Sequence, residues 1–170
     1  MFILIYFLFL TLLSLIFLGA FWGIIWFPTK KEDYDRIAEL ANLKPGLFFY
    51  DLGSGTGDML FYLSKKYNIN CVGIEISPLL YLYSKIRSLF CNGVKIHYGN
   101  FFKYNISKAD IVYVFLHPDL YIKLKEKINN ELKNNSKIIL ACWPFQKSIP
   151  SSISKKERKV SYYLYKKPLS

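Results

Sequence analysis

The glycine-rich segment Tyr50-Asp51-Leu52-Gly53-Ser54-Gly55-Thr56-Gly57-Asp58 constrains the fold of this chain more than any other feature. It follows the apolar run 47–50, which is typical of a strand buried on both faces. It leads into residues 58–67, which have the pattern of a helix. Glycine adopts positive φ and lets a ligand approach the backbone closely. The segment therefore predicts a strand, a ligand-binding loop and a helix in direct succession.

The rest of the chain repeats this alternation of short apolar runs and amphipathic stretches. We predict helices at 31–43, 58–67, 78–90 and 118–132, and strands at 47–50, 71–76, 94–98, 111–115 and 137–142, with one more possible at 160–165. Such an order predicts an α/β fold, a doubly wound, mainly parallel Rossmann-like sheet with helices on both faces. Because 28 residues follow Cys142, we expect a full final helix and hairpin to be absent.

An acid lies at the end of the second predicted strand. In a doubly wound sheet, ligands bind beyond the carboxyl ends of the strands, at the topological switch point. Glu75 falls there, 24 residues after Asp51. A carboxylate in this place can accept hydrogen bonds from both ribose hydroxyls of an adenosine. The sequence therefore predicts a ligand of the nucleoside type.

The glycine spacing distinguishes between nucleoside ligands. Dinucleotide-binding loops follow the pattern G-x-G-x-x-G, whereas Gly57 comes one residue early here. Asp58 also stands at the helix amino terminus, where it would repel a phosphate. Asp51 and Asp58 better suit a ligand with a cationic or amine group. S-adenosylmethionine, which has a sulfonium and an α-amino group, fits this pattern better than the dinucleotide of an oxidoreductase.

The chain begins with a long apolar run. Residues 2–27 contain no charged side chain, and about 20 apolar residues are enough for a helix to span a bilayer. Trp22 and Trp26 suit the membrane interface at its far end. We predict a transmembrane anchor at 1–27, a linker with a leading helix at 28–46, where Thr29 could cap the helix, and a catalytic domain at 47–170.

The charges after this run predict where the domain lies. Lys30, Lys31 and Arg36 follow the apolar run closely, so the positive-inside rule favours a single-pass membrane protein with a cytoplasmic domain. A cleaved signal peptide is disfavoured, because no basic residue precedes the run and no cleavage site breaks it. The three scattered cysteines suit a reducing compartment and fit no metal site.

The net charge of +11 indicates a basic surface. Beside an anchor, anionic lipid headgroups are the simplest partner for such a surface. No recognised nucleic-acid motif is present, so we do not expect a nucleic-acid partner. The sequence leaves the oligomeric state open.

Asp51 to Asp58 resembles motif I of class I S-adenosylmethionine-dependent methyltransferases, and Gly73-Ile74-Glu75-Ile76-Ser77 resembles their motif II. A narrower resemblance covers nearly the whole chain. It is to the small membrane-anchored protein-lysine methyltransferases that modify the c-type subunit of ATP synthase and the adenine nucleotide translocase, with their archaeal and bacterial relatives. It rests on the apolar start, Pro28-Thr29, motif I, Gly73-Ile74-Glu75, Tyr81-Leu82-Tyr83-Ser84, Arg87, Val112-Tyr113-Val114-Phe115-Leu116 and Ala141-Cys142-Trp143-Pro144-Phe145.

The resemblance implies S-adenosylmethionine as cofactor and a set of residues that bind it. These are Tyr50, Asp51, Gly53, Ser54, Gly55, Thr56, Gly57, Asp58, Glu75, Ile76, Asn100 and Phe101. Many such enzymes have an acid after the third strand that meets the adenine amino group, and Asn100 stands in that place here. An asparagine can still accept a hydrogen bond from the amine or donate one to a ring nitrogen.

The acceptor side is less defined. The sulfonium supplies the reactive methyl group, so the protein has to orient the reactants and needs no acid–base pair. A lysine acceptor must be neutral, which desolvation favours, and aromatic faces can hold positive charge. We predict substrate contacts at His117, Trp143, Pro144 and Phe145, although ordinary packing would explain these residues as well. No catalytic residue is identified.

Three functions remain open at this point. The first is methyl transfer to a lysine of a membrane-associated protein. The second is methyl transfer to a small apolar or lipid acceptor, which an anchored enzyme would reach equally well. The third is a non-catalytic module that retains the fold, because Asn100 and the short tail depart from the family pattern.

Overall fold

The structure is a computed structural model that describes residues 2–21 and 27–169, with side chains at 2–14 and 27–169. The helices are α1 Phe2–Phe21, α2 Tyr34–Ala41, α3 Asp58–Tyr67, α4 Pro78–Ser88 and α5 Tyr121–Glu131. The strands are β1 Phe48–Leu52, β2 Asn70–Glu75, β3 Val94–Tyr98, β4 Ile111–Val114, β5 Lys137–Ala141, β6 Ser152–Ser154 and β7 Tyr162–Lys166. Single 3-10 turns lie at Lys31–Asp33, Phe101–Lys103 and Pro118–Leu120.

These strands form one sheet in the order β3-β2-β1-β4-β5-β7-β6. Strands β1 to β5 pair in parallel, and β7 is antiparallel to both β5 and β6. The chain crosses from β3 at one edge to β4 beside β1, so the strand order reverses between β1 and β4. The predicted doubly wound, Rossmann-like sheet is confirmed.

Alternate residues of the central strands enter two separate cores. Phe49 and Tyr113 pack with α2 and α3 in one core, while Tyr50 and Val112 pack with α5 in the other. Because both faces of the sheet are covered, the central strands are apolar without alternation. The uninterrupted apolar runs in the sequence have this origin.

The end of the chain corrects one prediction. A β6–β7 hairpin completes the sheet, so the expectation that it would be absent was wrong, while the described residues between β5 and β6 contain no helix. The sequence Ser-Ile-Ser of β6 is short and half polar, and such a strand has no pattern of its own. It exists because β7, already paired with β5, offers it a free edge.

The leading helix α2 packs into the first core through Ile37, Ala38 and Ala41, which are buried. A buried ion pair connects it to the hairpin. Arg36 donates to Asp33 at 2.6 Å and also to the carbonyls of Ser154 and Val160. The residues before the sheet and the last strands are therefore fixed against each other.

Helix α1 begins the chain, and its described side chains, residues 2–14, are exposed. Across the parts of the chain that the structure describes, no helix was found that is long and apolar enough to cross a membrane. The predicted transmembrane anchor falls partly on residues outside the described ones, and it stays a prediction.

Candidate active site

A cavity of about 510 Å³ lies beyond the carboxyl ends of the parallel strands, where the strand order reverses. Predicted site residues that line it are Asp51, Gly53, Ser54, Thr56, Asp58, Glu75, Ile76, Asn100, Phe101, His117 and Trp143. Residues that line it without having been predicted are Phe27, Pro28, Thr29, Tyr34, Met59, Ile74, Leu80, Gly99, Phe102, Tyr113, Phe115, Leu116 and Leu120.

The glycine-rich loop is held tightly against β2. The N–H groups of Gly53 and Ser54 both donate to the carbonyl of Ile74, at 2.9 and 3.1 Å. Gly53 has φ +100°, a conformation that side-chain-bearing residues rarely adopt. On the strand below, a Cβ at Gly73 would lie 2.5 Å from Ser54 Oγ. Because Gly53 and Gly73 have no side chain, the loop can lie directly against the sheet at this point.

Glu75 presents a fixed carboxylate to the cavity. Its side chain is buried, and its two oxygens accept from the N–H groups of Gly55 and Ser77, each at 2.7 Å. A carboxylate oxygen has two lone pairs, so each oxygen can accept one further hydrogen bond. Two oriented acceptors at the end of β2 match the two hydroxyls of a ribose.

Asp51 is also buried, but its surroundings disfavour charge. Burial, together with the negative charge of Glu75, raises the pKa of Asp51 to about 8. A cationic or amine group in the cavity would reverse this effect, because an opposite charge favours the ionised acid. The pair of acids therefore makes the cavity selective for a ligand with hydroxyl groups and positive charge.

Asp58 has a partner that the sequence did not reveal. Arg87 from α4 donates to Asp58 at 2.6 Å and to the carbonyl of Thr56 at 3.0 Å. The Thr56 hydroxyl donates to the second oxygen of Asp58, also at 2.6 Å. The charge of Asp58 is therefore balanced within the protein, and it supports the loop in addition to facing the cavity.

The loop after β3 is clamped from behind by α5. Asn100 accepts the N–H of Phe102 at 2.9 Å and so caps the 3-10 turn that carries Phe101. The buried amine of Lys127 donates to the carbonyls of Phe102 and Tyr104 and to Glu131. Lys127 therefore fixes the part of the loop that borders the cavity.

The residues just before the leading helix form another wall of the cavity. Thr29, predicted as a helix cap, instead shares a 2.7 Å hydrogen bond with the hydroxyl of Tyr113 on β4. Burial raises the pKa of Tyr113 well above its usual range. Burial and the nearby charges of Asp58 and Asp51 raise the pKa of Tyr34 to about 12. These hydroxyls are therefore neutral at physiological pH.

Two of the four predicted substrate-side residues reach the cavity. The rings of His117 and Trp143 lie 5.9 Å apart at its rim, and His117 Nδ1 lies 3.0 Å from Asp119. Pro144 is exposed and does not line the cavity. Phe145 is buried in the second core, where its N–H donates to Tyr165.

The chain separates Trp143 from Phe145 by a turn after β5. Cys142 adopts φ +73° there, so the strand ends abruptly and its direction changes. Sequence neighbours in such a turn need not share a surface. The prediction for Phe145 is therefore corrected: it is a core residue.

Three predicted cofactor contacts do not line the cavity. Tyr50 faces the second core, 6.5 Å from the ring of Tyr104. Gly55 holds Glu75, and Gly57 has φ +73° at the start of α3, so both shape the loop.

Comparison with known proteins adds a family to this geometry. The model of the ANTKMT methyltransferase domain matches residues 51–152. A protein-lysine N-methyltransferase of Saccharolobus islandicus (strain REY15A) is 31% identical over 121 residues, 66% of this chain and 72% of that protein. The Homo sapiens lysine N-methyltransferase named for the C-type subunit of ATP synthase is 25% identical over 131 residues, which are 75% of this chain. The chain matches only 55% of the length of that human protein.

Solved structures agree on the fold and on the ligand. The RNA methyltransferase from Salinibacter ruber, in complex with S-adenosyl-L-homocysteine, matches with a TM-score of 0.78 and 26% identity, over 82% of this chain and 93% of that one. A methyltransferase from Geobacter sulfurreducens, also with S-adenosyl-L-homocysteine, has a TM-score of 0.60 and 23% identity, over 75% and 54% of the two chains.

Proposed function

The chain belongs to the family of the ANTKMT methyltransferase domain and is an S-adenosylmethionine-dependent methyltransferase, and from this premise we propose that its acceptor is a lysine of a membrane-associated protein. The proposal is supported by the names of the relatives, which are protein-lysine methyltransferases. The observation that carries it is the aromatic wall of the cavity, formed by Tyr34, Tyr113, Phe115 and Trp143.

The residues at the strand ends fit the cofactor. The Oγ atom of Ser54 is buried and has no hydrogen-bond partner among the described residues, so the loop leaves a polar atom for a ligand. Glu75 would accept the ribose hydroxyls, and Asp51 would balance the positive charge. Asn100 and Phe101 would meet the adenine, with the amide of Asn100 in place of the usual acid. When bound, the cofactor supplies an activated methyl group.

The aromatic wall would act on the acceptor amine. A lysine attacks only as a neutral amine, and an apolar enclosure lowers its pKa because it disfavours the ammonium form. The ring faces of the wall would stabilise the positive charge that the acceptor nitrogen gains when it is methylated. The hydroxyls of Thr29 and Tyr113, 2.7 Å apart, could accept an N–H of the amine and so direct its lone pair.

We also propose that residues 1–27 anchor the enzyme in a membrane, with the catalytic domain on the cytoplasmic side. The absence of charge from this run and the basic residues directly after it support this. Extraction of cell membranes with alkaline carbonate tests it. An anchored chain stays in the pellet, and a chain released to the supernatant contradicts the proposal.

A small apolar or lipid acceptor is the second candidate. The apolar rim of the cavity, which includes Phe27, Leu116 and Leu120, favours it. A lipid tail would fit such a rim as well as the stem of a lysine. The two candidates differ in the class of molecule that receives the methyl group, which is protein for the first and lipid or another small molecule for the second.

In the deciding experiment, membrane extracts are incubated with the purified full chain and methyl-labelled S-adenosylmethionine. Protein, lipid and RNA are then separated, and the label in each fraction is measured. We expect label in protein, on lysine by mass spectrometry. Label confined to lipid supports the second candidate, and label in RNA contradicts both. Glu75→Gln is the matched control, because it keeps the size of the side chain and removes the charge that holds the ribose. It should lose the label and weaken cofactor binding by about tenfold or more.

A further inference from the structure

Helix α4 exposes several large apolar side chains although it packs on a sheet. Ser84 is its one buried residue in the described chain, while several large apolar side chains point away from the sheet. We call these the α4 apolar face: Leu82, Tyr83 and Ile86 on the helix, and Leu89 and Phe90 in the turn after it. Leu89 is 70% exposed and Phe90 is 87% exposed. Surface helices normally turn their apolar stripe inward.

The contact between α4 and the start of α3 leaves room only for a small side chain at Ser84. A Cβ at Gly57 would lie 3.5 Å from the Cβ of Ser84, so the start of α3 and α4 come close at this point. The packing therefore explains the serine inside, but it does not explain the apolar residues outside. A contiguous apolar patch on a surface marks an interaction site.

Helix α4 itself contains basic residues and no acid. Residues 76–109, which include α4 and the edge strand β3, contain no aspartate or glutamate. Lys85 and Arg87 lie on α4, and Arg87 pairs with Asp58, so Lys85 is the unbalanced charge of this helix. An exposed apolar face with a lysine beside it, on a helix that contains no acid, is typical of helices that lie in the interface of an anionic membrane.

We propose that the α4 apolar face lies on the bilayer surface, among anionic headgroups, and holds the catalytic domain against the membrane. A second copy of the chain fits less well, because a two-fold contact through this face would bring Lys85 close to its own copy. The inference goes beyond the proposed methyl transfer and does not depend on the acceptor. It concerns a surface separate from the apolar amino terminus.

Such a contact would also orient the cavity. Arg87 belongs to the same helix and pairs with Asp58 at the cavity wall. A docked α4 therefore sets the position of the cofactor-binding loop relative to the bilayer. An acceptor group near the membrane surface would then meet the cavity without a search over all orientations.

The test uses the full chain in vesicles, with an environment-sensitive nitrobenzoxadiazole dye on single cysteines. The background is Cys91→Ser with Cys142→Ser, since Cys71 is buried. The dye is placed at Phe90→Cys and, as matched control, at Asn134→Cys, which is exposed in the loop before β5. Vesicles are made of phosphatidylcholine with or without phosphatidylserine.

With phosphatidylserine, we expect the dye at position 90 to shift to the blue, to brighten several-fold and to be quenched by nitroxide lipids. The dye at position 134 should stay unchanged. No response at position 90 in vesicle-bound protein overturns the inference. A dye response without lipid that grows with protein concentration indicates contact with a second copy. A dye response that appears only when detergent-solubilised membrane proteins are added indicates a protein partner. Either result also overturns it.

The membrane anchor and the methyl acceptor are tested by measurements that do not depend on the dye experiment. Carbonate extraction reports on residues 1–27, and methyl labelling reports on the acceptor, whereas only the dye reports on α4. The variant Ile86→Ser/Phe90→Ser adds a check that is independent of labelling. This variant of the full chain should still bind the cofactor in detergent, but it should no longer bind vesicles with phosphatidylserine better than vesicles without it. The exposed control Ile149→Ser should keep that difference. Loss of the difference in both variants contradicts the role of α4.

Discussion

Glu75 and Asp51 lie at the ends of neighbouring strands, but their surroundings give them different properties. Glu75 accepts two backbone N–H groups, one on each oxygen of its carboxylate. Asp51 is buried beside that carboxylate, which raises its pKa to about 8. In the free enzyme Asp51 is therefore protonated over much of the range in which an ordinary aspartate is charged.

This gives a prediction for the stability of the free enzyme. The pKa of Asp51 is higher in the folded protein than in the unfolded one, so protonated Asp51 contributes to the free energy of unfolding. This contribution is complete at a pH below the pKa of the unfolded state. It decreases as the pH rises through about 8. Asp51→Asn should therefore flatten the fall in the free energy of unfolding between pH 5 and 8, measured by urea titration without cofactor. The exposed control Glu126→Gln should keep the wild-type slope.

Lys127 gives a second prediction at the residue scale. Lys127→Met leaves two loop carbonyls without this donor and removes the cation beside Glu131, and an acceptor left without its donor costs about 1–3 kcal/mol. Because the loop borders the cavity, KM for S-adenosylmethionine should rise several-fold while kcat changes little. Steady-state kinetics and urea titration measure the two effects. Lys125→Met removes the same charge from the same helix, but its amine contacts Ser148, which lies outside this loop, so KM should stay nearly unchanged.

Among the elements, the glycine loop and β2 behave as one unit. Gly73→Ala would place a methyl group 2.5 Å from Ser54 Oγ and 2.8 Å from a methyl carbon of Leu60. Overpacking of this kind costs about 1–3 kcal/mol, and here the loop is the part that can move. Calorimetry should show weaker binding of S-adenosyl-L-homocysteine. Gly46→Ala has positive φ but no atom within 4 Å, so it should reduce stability without changing that affinity.

Most elements could be predicted from the sequence because their patterns are local. Helix α3 and strand β3 begin and end where the apolar spacing indicated. Strand β1 runs on through Leu52, into what looked like the loop, because pairing with β2 and β4 continues there. Strand β6 was missed because three residues have no period, and only the free edge of β7 makes them a strand.

At the scale of the whole molecule, the buried pair of Asp33 and Arg36 connects the leading helix to the last hairpin. Tyr162 on β7 donates to the same aspartate at 3.1 Å. Arg36→Met leaves this carboxylate buried with too few donors, which costs about 3–5 kcal/mol. Thermal or urea unfolding should show the loss. The double variant Asp33→Leu/Arg36→Met should recover part of it, and a double variant no more stable than the single one would contradict this account.

The sequence by itself determined the order of strands and helices up to β5, the doubly wound class and the ligand loop. Each of these depends on spacing within one segment, which the backbone geometry of helices and strands imposes. It also indicated Glu75, because a second strand end is predictable once the first is known. The S-adenosylmethionine ligand followed from the early third glycine, the acids of the loop and the resemblance to a family.

Only the tertiary structure decided which side chains share the cavity. Tyr113 stands opposite Asp51 through the pairing of β1 with β4, and Thr29 reaches it from 84 residues away. Arg87 forms an ion pair with Asp58. Phe145 is buried in the second core, although Trp143, two residues before it, lies at the cavity rim. The outward apolar face of α4 likewise depends on how closely the helix packs. Such contacts depend on register and crossing geometry between distant segments, and no local pattern in a single sequence contains them.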